Sequence, residues 1–62
     1  MTTYDYILQV VQAHNPCSLK YVIWDCKQQG LTKGFIKALQ ALKDDQLIFT
    51  EYEDKETTVY LT

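Results

Sequence analysis

Among the side chains that could do chemistry, His14, Cys17 and Cys26 are the only soft-ligand residues, and their spacing argues against a metal site. Cys17 and Cys26 stand nine positions apart, which matches no common pattern of zinc-binding cysteines, and the single histidine offers no second imidazole. If both cysteines lay along one helix they would be roughly 13 Å apart, out of disulfide reach, so both thiols are expected to be free. No nucleophile has a paired base. Gly30 and Gly34 are the only glycines, and neither makes a phosphate-cradling loop. No catalytic residue, metal or cofactor is expected, and the chain is read as a non-enzyme.

The remaining chemistry is that of charge. In the stretch Leu31–Ile48, LTKGFIKALQALKDDQLI, Lys33 and Lys37 fall near the start of a helix and Asp44 and Asp45 near its end. That order is the reverse of what the helix dipole favours, so stability alone would not select it. Lysines at that end can reach phosphates or guanine edges, Gly34 permits close approach, Thr32 can hydrogen-bond a phosphate, and Lys20 and Lys27 can add backbone contacts. The same residues are equally readable as a solvated helix face. The net charge is -2 and the pI about 5.0, so any attraction to a polyanion must be local. Neutralising about three phosphates would give a log–log salt slope near -3, weak binding unless a dimer doubles the footprint.

A second set of candidates is aromatic and apolar. Tyr21 and Trp24 stand one turn apart on the outer side of a helix, and Tyr6 with Val10 does the same on the helix before it, residue types common at interaction hot spots. For Tyr21 and Trp24 the alternative is cover by the C-terminal hairpin, since large aromatics are usually well buried. Tyr6 and Val10 are read as a homodimer contact. A smooth face of Gly34, Ala38 and Ala41 could seat either a groove or a partner helix.

The elements that position these residues follow from periodicity. With 62 residues, 47% of them apolar and 23% charged, the chain is expected to form one folded domain, residues 1–62, with a small core. Thr2 or Thr3 caps a first helix through about His14, with Tyr4, Ile7, Leu8 and Val11 on its core face, and Asn15–Pro16 ends it. Ser18 caps a second helix that buries Leu19, Val22, Ile23 and Cys26, and Gly30 stops it. Leu31 plugs a turn, Thr32 caps the third helix, and Phe35, Ile36, Leu39 and Leu42 form its apolar stripe. After Asp45 the pattern turns to β: a strand from Leu47 to Tyr52, a polar EDKE turn, and a strand TTVYLT with Val59 and Leu61 on one side. The N-terminus lacks the basic segment of a secretory signal and no apolar run reaches membrane-spanning length, so a soluble cytoplasmic protein is expected.

This order, with GLTKGFIKALQALKDDQLI as turn, helix and strand entry and VYLT as a returning strand, resembles the winged helix-turn-helix family of small bacterial and viral regulators. The resemblance implies an α+β fold of three helices and a two-stranded β-hairpin wing, and transcription regulation by binding duplex DNA through the third helix. Carried onto this chain, the contacts would come from Thr32, Lys33, Gly34 and Lys37, with Lys20 in support. The chain departs from the family at Gln46, where glycine is common in the left-handed turn, and in a wing where Glu51, Glu53, Asp54 and Glu56 outnumber Lys55. The alternative is a winged-helix protein-interaction module that uses Tyr21, Trp24 and the acidic wing to modulate another regulator or enzyme without touching DNA.

Overall fold

Helix α1 (Thr3–Ala13) starts where Thr2 is extended and its hydroxyl accepts the Asp5 amide at 3.1 Å. The computed structural model describes residues 2–62. Ile7 and Val11 are fully buried, and Val10, which the sequence placed on an outward stripe for a second copy, is buried with them at 6% exposure. The reason is that α1 sits centrally: α2 and α3 both pack against it, so more than one stripe of the helix is covered. Asn15 and Pro16 follow the helix through a cis peptide bond, and the Asn15 Oδ1 accepts the Leu61 amide at 3.1 Å, tying this loop to the C-terminal strand.

Cys17 and Ser18 then form a strand, β1, that the sequence did not announce. Ser18 also caps α2 (Leu19–Gln28), its Oγ accepting the Tyr21 amide at 3.1 Å. The helix buries Val22 and Cys26 completely. Gly30, at φ +70°, ends it in a Schellman arrangement, with the Gly30 amide on the Lys27 carbonyl and the Leu31 amide on that of Cys26 at 2.8 Å.

Helix α3 (Phe35–Asp44) begins later than expected. Its N-cap is Gly34 at φ +77° with no side-chain cap, and Thr32 contributes its carbonyl rather than its hydroxyl, accepting the Phe35 amide at 3.2 Å. At about 100° per residue, a helix that buries Phe35 and Leu42 turns Leu39 and Ala38 inward with them and swings Ile36 out. Ile36 is accordingly 74% exposed, not part of the core stripe. Ala38 and Ala41 are half-buried, so the outer face carries Ile36, Lys37, Gln40, Lys43 and Asp44 and is not smooth.

The α3 C-terminus repeats the Schellman pattern, with the Gln46 amide on the Lys43 carbonyl and the Leu47 amide on that of Leu42, both at 3.0 Å. Here the left-handed position is held by Gln46 at φ +61°, a conformation that clashes with a Cβ. Gln46→Gly is therefore expected to raise stability by about 1 kcal/mol, read as a higher urea midpoint at unchanged slope. A lower midpoint would show that the Gln46 side chain contributes more than its backbone costs.

Strands β2 (Ile48–Glu53) and β3 (Glu56–Leu61) form the hairpin, turning through Asp54 and Lys55 at φ +52° and +64°, the paired positive values of a type I′ turn. The sheet order is β1-β3-β2, all antiparallel, with Cys17 opposite Val59 and Thr50 opposite Val59 from the other side. The fold is thus α+β as expected, with a three-stranded sheet in place of a two-stranded hairpin. The third strand leaves no mark in the sequence because it is only two residues long and carries no alternation. Ile48, Val59 and Cys17 face the helices and complete the core.

Candidate functional site

The lysine set expected to act together is distributed over α2, the turn before α3, and α3 itself. Lys20 is the second residue of α2, Lys33 and Gly34 occupy the turn ahead of α3, and Lys37 lies in its first turn. Thr32, Lys33, Gly34, Lys37 and Lys20 are all exposed. Gly34 has nothing within 4 Å of where a Cβ would sit, so the backbone there is open to a close approach.

Charge is segregated along the fold. Residues 20–43 hold Lys20, Lys27, Lys33, Lys37 and Lys43 against one acid, Asp25, whereas residues 44–56 hold Asp44, Asp45, Glu51, Glu53, Asp54 and Glu56 against Lys55. The exception in the first segment is turned away. The Asp25 carboxylate accepts the Tyr6 hydroxyl at 2.8 Å and so faces α1. Asp45 is likewise engaged with α1, through the Tyr4 hydroxyl at 2.5 Å, and Asp44 accepts the Gln40 amide nitrogen at 3.0 Å. A chain of negative net charge therefore presents a locally cationic α2–α3 surface.

In the sequence Lys55 stands among the acids Glu53, Asp54 and Glu56. The left-handed turn places it beside Lys20, and both line a cavity of about 140 Å³ with Ser18, Leu19, Ile23, Glu56 and Thr57. Only the β1–β3 pairing, which brings the hairpin to the start of α2, could have revealed this neighbour.

Of the aromatic candidates, Tyr6 is half-buried with its hydroxyl on Asp25, and Val10 is in the core, so neither makes the free surface expected of them. A shallow groove beside them, lined by Gln9, Ala13 and His14 as well, is the remnant of that surface. Trp24 behaves differently. It is 56% exposed, so the hairpin does not cover it, and it stacks on Tyr21 at 6.2 Å between ring centres. Tyr21 meets His14 edge-on at 5.1 Å, its hydroxyl 3.3 Å from Nε2, giving an aromatic row along the outside of α1 and α2.

His14 is thus exposed and occupied with Tyr21, while Cys17 and Cys26, on different elements rather than one helix, are free and buried. Among the described residues no group of three or more His, Cys, Asp or Glu side chains gathers as a metal site, and no helix is long and apolar enough to cross a membrane. Burial pushes both thiols above their ordinary 9.0, with the Asp25 charge adding to it at Cys26. Tyr4 and Tyr6 are raised above 10.0 chiefly because each donates its proton to a carboxylate, Asp45 and Asp25 respectively, with burial and the carboxylate charge contributing less. All four groups hold their protons more tightly folded than unfolded, so their contribution to stability is complete below the unfolded values and is lost as pH rises through the folded ones. The urea midpoint is expected to hold near about pH 8 and fall steadily toward about pH 11. A midpoint flat over that range would contradict the tyrosine–carboxylate contacts.

No protein-family model matches this chain, and no curated protein or solved structure matches it either.

Proposed function

We propose that the chain is a small winged-helix DNA-binding regulator that meets duplex DNA with the start of α3, the turn before it, and Lys20 of α2. The observation that carries this reading is the charge segregation: five lysines on residues 20–43, with the one acid of that segment turned to α1. The element order, with a short strand between the first two helices, is compatible with a winged-helix arrangement. In that arrangement the N-terminal part of the third helix enters the major groove and the helix before it crosses the backbone. Lys37 and Lys33 then reach phosphate or base edges, and open Gly34 lets the backbone come close.

The test is a fluorescence-anisotropy titration with mixed-sequence duplex. With Lys20, Lys33 and Lys37 each neutralising a phosphate, affinity should fall about 40-fold when salt rises from about 50 to about 200 mM. No binding at the lower salt, or binding indifferent to salt, would refute the proposal.

A second reading has its own observation. Exposed Trp24, stacked on Tyr21, supports a protein-interaction module in which these residues and the acidic hairpin engage another protein without DNA. Its signature is red-shifted Trp24 emission in the free monomer that becomes protected when a partner is added.

A further inference from the structure

We propose that copies of this chain associate head to tail, the outer face of the β2–β3 hairpin of one copy docking on the Trp24 face of α2 in the next. Large exposed apolar side chains occur on both charge segments: Trp24 and Ile36 among the lysines, and, in the acidic segment, Leu47 just before β2, Phe49 on the outer face of the hairpin and Tyr52 on its opposite face. The molecule therefore carries apolar surface rimmed with positive charge and apolar surface rimmed with negative charge.

On α2, Lys20 lies one turn before Trp24 and Lys27 one turn after, all exposed, so the indole is bracketed by ammonium groups on one helix face. Tyr21 supports it from behind. On the hairpin, period-two alternation sends Ile48 and Val59 to the core and Phe49, Glu51 and Glu53 outward, beside Tyr60 and Glu56 of β3. Phe49 and Tyr60 stack at 4.9 Å and 11°, so this face runs from an aromatic pair to a cluster of glutamates. Glu53 sits directly opposite Glu56, a like-charge pair that weakens an isolated hairpin and that a cationic neighbour relieves.

These faces choose their occupant by sign. Hairpin against hairpin sets glutamate on glutamate, and α2 against α2 sets lysine on lysine. Joining one to the other covers Trp24 with the Phe49–Tyr60 pair and places Lys20 and Lys27 against the glutamates. Such a contact is heterologous, so each added copy leaves a free face of each kind, and growth continues until a ring closes or a filament forms. Lys20 belongs to the proposed DNA surface as well, so phosphate and hairpin would compete for it; the association itself is independent of whether DNA binds.

The experiment is sedimentation of the full chain without nucleic acid, with Trp24 fluorescence followed in parallel, since it is the single tryptophan. The average mass is expected to climb with concentration past that of a dimer, Trp24 emission to shift blue as it does, and high salt to return the 7.3 kDa monomer. Trp24→Glu with Lys27→Glu blocks one face, and Phe49→Ser with Glu51→Ser blocks the other without making it basic. All four positions are exposed, so each variant should keep the wild-type circular dichroism. Each should be monomeric alone, while an equimolar mixture forms a dimer and stops there. A wild type that stays monomeric or halts at a dimer, a variant that still self-associates, or a mixture that stays monomeric overturns the proposal; the wild-type series decides the matter even if a variant misfolds.

Discussion

Leu42→Ala is expected to remove about 2–5 kcal/mol of stability, the largest effect of any single truncation on α3. Leu42 is fully buried, is packed among residues of the common core, and is the residue whose carbonyl accepts the Leu47 amide at the end of its helix. A cavity there loosens the α1–α3 contact and the helix stop that launches β2. A chain of 62 residues has a total stability of only about 3–9 kcal/mol at the usual stability per residue, so this one change should leave a substantial unfolded population. The companion measurement is Ile36→Ala, which should be close to neutral because that side chain is 74% exposed. Urea unfolding of both variants checks the helix phase directly. If Ile36→Ala costs as much as Leu42→Ala, the phase described for α3 is wrong.

The contrast between those residues shows where sequence reading succeeded and where it stopped. Caps with side-chain chemistry were legible: Thr2 and Ser18 hold the amides expected of them, and Gly30 takes its left-handed stop. The start of α3 was not, because Gly34 caps it through backbone conformation alone and leaves no hydroxyl or carboxylate to read. Thr32 is the residue with cap chemistry, and a helix begun there turns Ile36 inward, whereas one begun at Gly34 leaves it 74% exposed. Strand β1 was hidden for a related reason. Two residues show no period, and what makes them a strand is the register with Val59 some forty positions away.

The candidate site divides along the same line. Exposure of Lys33 and Lys37 followed from their spacing, but the neighbours of each group came from tertiary structure. The Tyr6 hydroxyl on Asp25 removes a carboxylate from the lysine surface and a tyrosine from the dimer face in one contact, and neither consequence is visible in a single helix. The Tyr4 hydroxyl likewise draws the Asp45 carboxylate, at the C-terminal end of α3, to α1. Helix α1 thus works as the electrostatic back of the molecule: by drawing Asp25 and Asp45 toward itself it leaves the lysines of α2 and α3 facing out.

On the proposed DNA-binding reading, combined replacement of Lys20, Lys33 and Lys37 by Glu should lower affinity for mixed-sequence duplex by about 500-fold or more at about 0.1 M salt, because each lost phosphate contact forfeits the release of about 0.9 of a counterion. The fold should tolerate the change. All three side chains are exposed, and Glu at positions 33 and 37 puts negative charge at the start of α3, where the helix dipole favours it. Thermal unfolding of the triple variant should therefore match or slightly exceed that of the wild type, which separates lost contact from lost structure. The opposite pattern, a weaker fold with duplex affinity intact, would mean that the reversed charge order on α3 serves stability after all and that the lysines do not meet phosphate. A variant that folds, keeps its Trp24 emission and no longer binds would place the contact on these side chains and leave the acidic hairpin outside it.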